Sequence, residues 1–207
     1  MGYNDKVVIE FTPQQEQVVI GTLFGDGSLQ RLKTETRNSR LRVTHKEADK
    51  EYLFWKYNLL RPSGVFLRPP SYRFNHKGFG SWYFQSRHLP IFTAYRRVFY
   101  PNGIKVVPLE MLDKLELLGL AVWYMDDGSL SKHKKHVDFS VEGFGLTGVN
   151  IIRKWFEERF GLQPVLVSTG NSNIVRLRFN VEGSKKLQEL VRLYVEEVKC
   201  MGRKIRK

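Results

Sequence analysis

The sequence predicts an α+β protein of two pseudo-twofold-related halves, each running helix, strand, strand, helix, strand, strand, helix. Three observations carry that expectation. "FGDGSL" at 24–29 and "MDDGSL" at 125–130 share Asp-Gly-Ser-Leu, which sets Asp26 and Asp127 101 residues apart, about half of the 207-residue chain. The segments before them, "EQVVIGTLF" and "LELLGLAVWYM", are apolar almost all round, as helices in the middle of a protein are. Beyond each motif the apolar spacing changes from the helical period to alternation.

Taken in order, Thr12 caps the first helix, Pro13 suits its first turn, and Gln15 completes a capping box. "RLRV" (40–43) alternates arginine with aliphatics, as a half-buried strand does. "DKEYLFWKYNLL" (49–60) returns to helical spacing, strands follow near 72–76 and 82–86, and a helix near 89–99 ends the first half-domain, 1–99. A linker at 100–107 leads to the second half-domain, 108–207. There Pro108 is expected to open one continuous motif helix, followed by a helix over 148–160, strands at 163–168 and 173–180, and a helix at 183–198. Gly27 and Gly128 stand where C-terminal capping glycines belong.

Lys and Arg number 34 against 21 Asp and Glu, a net charge of +13, with 13% aromatics; such a surplus points to a polyanion, most often nucleic acid. One cysteine, Cys200, excludes an internal disulfide and fits a reducing, intracellular setting, cytoplasmic or organellar. No window approaches the roughly 20 apolar residues of a membrane span, so no membrane partner is expected. Met1-Gly2 lacks the later Ser or Thr of a myristoylation start. Five scattered histidines and one cysteine offer no zinc-ligand spacing.

Gly21 and Gly25 leave a groove on the first motif helix, and Gly119 and Ala121 offer the like on the second. If the two helices pair in parallel, Asp26 and Asp127 converge at one end with the terminal carbonyls of Gly25 and Asp126. Carboxylates there oppose the helix dipole, so the cluster is stable mainly around a cation. An oxygen-rich site suits Mg²⁺, and phosphodiester cleavage is its natural chemistry. A lone Asp-Gly reads as a turn; the repetition behind matching helices is what favours a site. Asp126, whose counterpart is Gly25, ranks below Asp127 and either lines the metal site or caps the helix interface.

"VIGTLFGDG" and "LAVWYMDDG" resemble the two motifs of single-chain LAGLIDADG homing endonucleases, and the doubled pattern extends the resemblance over nearly the whole chain. The second motif matches closely; the first departs at Val19, Ile20 and Phe24. The resemblance implies motif helices at the interface of the halves, antiparallel sheets forming a saddle on double-stranded DNA, and two or three divalent ions at Asp26 and Asp127, Mg²⁺ with Mn²⁺ able to substitute. It also implies a monomer, intron mobility, and a basic residue after each half's last helix. Lys105 and Lys204 stand there, 79 and 77 residues beyond their aspartates. A lysine suits stabilisation of phosphate charge or orientation of water. Lys204 also lies in a basic tail that fits backbone binding.

For recognition, Arg31 and Lys33, Arg40 and Arg42, Arg73 and Asn75, Lys132 and Lys134, and Arg176 and Arg178 are pairs two residues apart on strand faces. Each half then covers about 10 base pairs. Any one of these residues also serves as a phosphate contact or a solvated charge. "YMDD" (124–127) also occurs in reverse transcriptases, but on a hairpin, and that reading leaves FGDGSL unexplained. The alternative is a non-cleaving scaffold of the same fold, an intron RNA maturase or a DNA-binding regulator. Intein splicing is not expected, because the sequence neither opens with Cys or Ser nor ends in His-Asn.

Overall fold

The computed structural model describes residues 9–31, 38–74, 78–131, 133, 135–168 and 175–206. Thr12 accepts the Gln15 N–H at 3.2 Å, and the Gln15 side chain accepts the Thr12 N–H at 3.1 Å, starting helix α1 (Pro13–Phe24) with a full capping box. Val18, Val19 and Ile20 are poor helix formers by propensity, yet all three are fully buried, and packing decides. Next come strands β1 (Ser28–Gln30) and β2 (Arg40–Lys46), helix α2 (Lys50–Leu60), strands β3 (Ser71–Phe74) and β4 (Gly80–Gln85), and helix α3 (Pro90–Phe99). The second half repeats the order with α4 (Leu109–Asp113), α5 (Leu117–Asp127), β5 (Gly128–Leu130), β6 (Val137–Phe139), α6 (Gly145–Phe160), β7 (Val165–Ser168), β8 (Val175–Phe179) and α7 (Val181–Glu196). Each half holds a four-stranded antiparallel sheet, ordered β1-β2-β4-β3 and β5-β6-β8-β7. Among the described residues no helix is long and apolar enough to cross a membrane.

The motif helices α1 and α5 pack together at the centre. A Cβ on Gly21 would lie 2.3 Å from the Gly119 carbonyl oxygen, so only glycine permits this approach. Around the pair, Phe24 meets Trp123 at 4.9 Å between ring centroids, and Trp123 meets Phe139 at 4.9 Å, tying both helices into one apolar core.

Two local expectations need correction. The helix expected to run unbroken from Pro108 is two helices, because Gln17 of α1 intervenes. Its buried amide donates to the Lys114 carbonyl at 2.8 Å and accepts the Glu116 N–H at 2.8 Å, replacing helical bonds at the break. Pro108 therefore precedes α4, not the motif helix. Gly128 does cap α5, donating its N–H to the Tyr124 carbonyl before it opens β5, but Gly27 does not cap α1, which Gly25 caps, and neither Gly27 nor Gly128 has positive φ. They are glycines for space, since added Cβ atoms would meet Thr22 at 2.6 Å and the Tyr124 ring at 2.3 Å.

Candidate active site

The parallel pairing of α1 and α5 brings both motif ends together. The Asp26 N–H donates to Asp126 Oδ2 at 3.2 Å, across the interface. Gly25 allows this contact, because a Cβ there would lie 2.3 Å from the same oxygen. Asp127 accepts from Trp123 Nε1 at 3.0 Å, one turn back on its own helix. Burial and then the Asp126 charge raise the pKa of Asp26. Burial, then Asp126 and Asp26, push Asp127 up to about 8. Three carboxyl groups thus crowd the negative ends of two helices.

Lysines close on this cluster from both sides. Lys105 Nζ donates to the carbonyls of Phe24 at 3.2 Å and Gly25 at 3.0 Å, ending α1. Lys204 Nζ donates to the carbonyl of Met125 and, at 3.0 Å, to that of Asp126, ending α5. Burial lowers both lysine pKa values, while the three aspartates push the other way. Cations at helix C-termini are favourable, and here each motif helix has its own.

Two side chains outside the predicted set belong to the same cluster. Lys56 of α2 is fully buried, 2.7 and 2.9 Å from the two oxygens of Asp126, whose side chain is itself inaccessible. His45 of β2 lies 3.4 Å from Lys56 Nζ and 3.6 Å from Asp26 Oδ2. Burial, then the Lys56 charge, pushes His45 down to about 4, so it is neutral at pH 7 and its contacts with the aspartates are dipolar. The signals were legible: His45 falls on the apolar face that Leu41 and Val43 define, and Lys56 follows Tyr52 by four residues on a buried helical stripe.

Asp26, His45 and Asp126 offer ligand atoms all within 4.8 Å of one another. Lys56 already supplies the cation that the Asp126 side chain faces. The remaining donors are the carboxylates of Asp26 and Asp127 and the second lone pairs of the Gly25 and Asp126 carbonyls, which already accept from Lys105 and Lys204; all are hard oxygens. Such a set, costly to ionise among like charges, fits a hard divalent cation such as Mg²⁺.

Of the candidate recognition residues, Arg40, Arg42 and Arg73 share one face of the first sheet. Arg40 donates to Gln30 Oε1 at 3.2 and 3.0 Å. Arg42 and Arg73 lie 4.5 and 5.2 Å from the centre of the Tyr83 ring. Arg31 follows β1. In the second sheet, Arg178 forms a two-pronged pair with Asp138, both bonds 2.7 Å, and Arg176 pairs with Glu142 at 2.7 Å. Lys33, Asn75, Lys132 and Lys134 lie outside the described residues.

The LAGLIDADG DNA endonuclease family profile matches residues 16–187, and the chain belongs to that family. It is 31% identical over 194 residues to Protein RecA of Mycobacterium shimoidei, covering 88% of this chain and 44% of that protein. The chain thus spans less than half the length of that relative. It is 29% identical over 171 residues to DNA endonuclease I-ChuI of Chlamydomonas applanata, covering 76% of this chain and 78% of that one. Cytochrome b mRNA maturase bI2 of Debaryomyces hansenii is 24% identical over 164 residues, 74% of this chain and 60% of that protein. Among solved structures, homing endonuclease I-WcaI bound to its DNA recognition sequence shares the fold at TM-score 0.79 and 22% identity, covering 96% and 93% of the two chains. I-DmoI in complex with DNA and Mn shares it at TM-score 0.58 and 15% identity, covering 86% and 96%.

Proposed function

We propose that the protein is a monomeric, site-specific double-strand DNA endonuclease, hydrolysing one phosphodiester on each strand of a long pseudo-palindromic target and leaving staggered ends. Its half-domains, 1–99 and 108–207, would each cover one half-site. The observation that carries this reading is the convergence of Asp26 and Asp127, each at the end of a repeated motif helix and each beside a lysine bound to that helix's last carbonyls. I-ChuI is a DNA endonuclease, and I-WcaI and I-DmoI have been solved bound to DNA, the last with Mn.

Asp26 and Asp127, with the carbonyls of Gly25 and Asp126, would hold Mg²⁺, for which Mn²⁺ substitutes. When bound, it supplies Lewis acidity and neutralises phosphate charge. Trp123 fixes the Asp127 carboxylate and Asp126 fixes the Asp26 backbone, so neither acid has to reorganise during the reaction. Lys105 and Lys204 each have three N–H donors. Two are spent on helix-end carbonyls, which leaves one for a phosphate oxygen. Arg40, Arg42 and Arg73 on the first sheet, and Arg176 and Arg178 on the second, face the duplex. The carboxylate-braced pair keeps a fixed orientation suited to reading base edges.

Single Asp26→Asn and Asp127→Asn variants test the assignment. Both should lose Mg²⁺-dependent cleavage yet bind DNA as the parent does, and full cleavage by either would sink the assigned roles. Tight binding without breaks by the parent protein would instead favour a non-cleaving role, with intron RNA the next ligand to test, as the maturase relative suggests.

A further inference from the structure

The pseudo-twofold relates the two catalytic ends, but one carries a polar device that the other lacks. Register gives the correspondence: Leu29 pairs with Leu41 as Leu130 pairs with Val137, so His45, four residues along β2 from Leu41, corresponds to Val141. The same offset takes Lys56 on the buried face of α2 to Ile152 on the buried face of α6. The motifs match Asp126 to Gly25. The buried group Lys56, Asp126 and His45 is therefore replaced, position by position, by Ile152, Gly25 and Val141.

The group bears on Asp26 twice. Asp126, held by Lys56 at 2.7 Å, accepts the Asp26 N–H at 3.2 Å. His45, 3.4 Å from Lys56, stands 3.6 Å from the Asp26 carboxylate. Asp127 is steadied differently, by Trp123, whose counterpart in the first motif is Thr22. Stability alone does not account for a buried ion pair, since apolar packing of similar volume often serves as well or better, and the second half has that packing.

We propose that His45, hydrogen-bonded to Lys56, is a positioning residue for Asp26 and not for Asp127, so that the two strands are cut by differently supported centres and their relative rates are set by this residue. The inference rests on the endonuclease reading. Its chemistry is ordinary: side chains that orient a metal-holding carboxylate are worth roughly 10- to 100-fold in activity.

The test follows single-turnover cleavage of a duplex carrying the protein's own cut site, with a different fluorophore on each strand, for the parent, His45→Val and Lys56→Ile. His45→Val is the decisive variant, because Lys56→Ile strands a buried carboxylate and can fail to fold. In His45→Val one strand should slow by roughly 10- to 100-fold while the other stays within about twofold. A merely structural role would slow both strands together. A second readout needs no metal: NMR of selectively labelled aspartate should show one fixed Asp26 side-chain rotamer in the parent and averaging in His45→Val. Equal slowing of both strands, no slowing, or an unchanged Asp26 rotamer overturns the proposal with the nuclease reading intact. A parent protein that cuts neither strand overturns both.

Discussion

Replacing Asp127 by asparagine separates what the carboxyl does for the fold from what it does for the reaction. Burial and the two neighbouring aspartates hold its pKa at about 8, against 3.8 for an ordinary aspartate. A carboxyl whose pKa rises on folding binds more protons folded than unfolded between those values. Its favourable contribution is whole below pH 3.8 and is lost as pH climbs toward 8. At pH 7, folding must therefore protonate a group that is ionised in the unfolded chain. Each pH unit is worth about 1.4 kcal/mol and roughly three units are involved, so the cost is on the order of 4 kcal/mol. Asparagine is isosteric and neutral, and its carbonyl oxygen still accepts the Trp123 indole N–H. In chelator at pH 7, Asp127→Asn should melt higher than the parent by up to roughly 8–16 °C, at about 2–4 °C per kcal/mol for a chain of this size. The gain should shrink at pH 4, and Mg²⁺ should raise the Tm of the parent far more than that of the variant. Scanning calorimetry in chelator reads all of this. A variant that melts at or below the parent at pH 7 would refute the claim that Asp127 sits in an electrostatically costly site.

Three other outcomes follow from the same structure. Gly21→Ala should destabilise the protein by about 1–3 kcal/mol, because the new methyl meets the Gly119 carbonyl at 2.3 Å; Gly143→Ala, with nothing within 4 Å, should not, and equal melting curves would mean that α1 and α5 pack less closely. Mg²⁺ binding at pH 7 should release close to one proton from Asp127 and almost none above pH 9, read by calorimetry in buffers of different ionisation enthalpy; identical values at both pH values would contradict the raised pKa. DNA affinity should fall steeply between 50 and 200 mM salt, on the order of 10³-fold or more if six or more phosphates are neutralised, whereas a flat response would argue against a basic saddle.

Much of the fold was legible because its signals are local. The capping box at Thr12, the alternation over 40–43 and the repeated Asp-Gly-Ser-Leu each place an element without knowledge of the partner it packs on. The break before α5 was not legible, since a glutamine 97 residues from Lys114 makes it. Gly27 was misassigned as the cap of α1 for a related reason, since a glycine kept for space looks like a capping one in sequence, whereas Gly128 does cap α5. Asp26, Asp127, Lys105 and Lys204 were singled out through spacing and resemblance, and the structure brings all four to one end of the motif helices. His45 and Lys56 escaped because a doubled pattern directs attention to what the halves share, and these two occur in only one. Their mark in sequence was a polar residue at a core position.

Metal-dependent cleavage at one site is read by incubating the protein with a library of duplex DNA in Mg²⁺, and again in chelator, then sequencing both ends of every product. Breaks are expected at one defined site, offset between the strands, present with Mg²⁺ and lost both in chelator and in Asp127→Asn. Breaks that survive in Asp127→Asn, or a protein that holds one site tightly and never cuts it, would contradict that expectation.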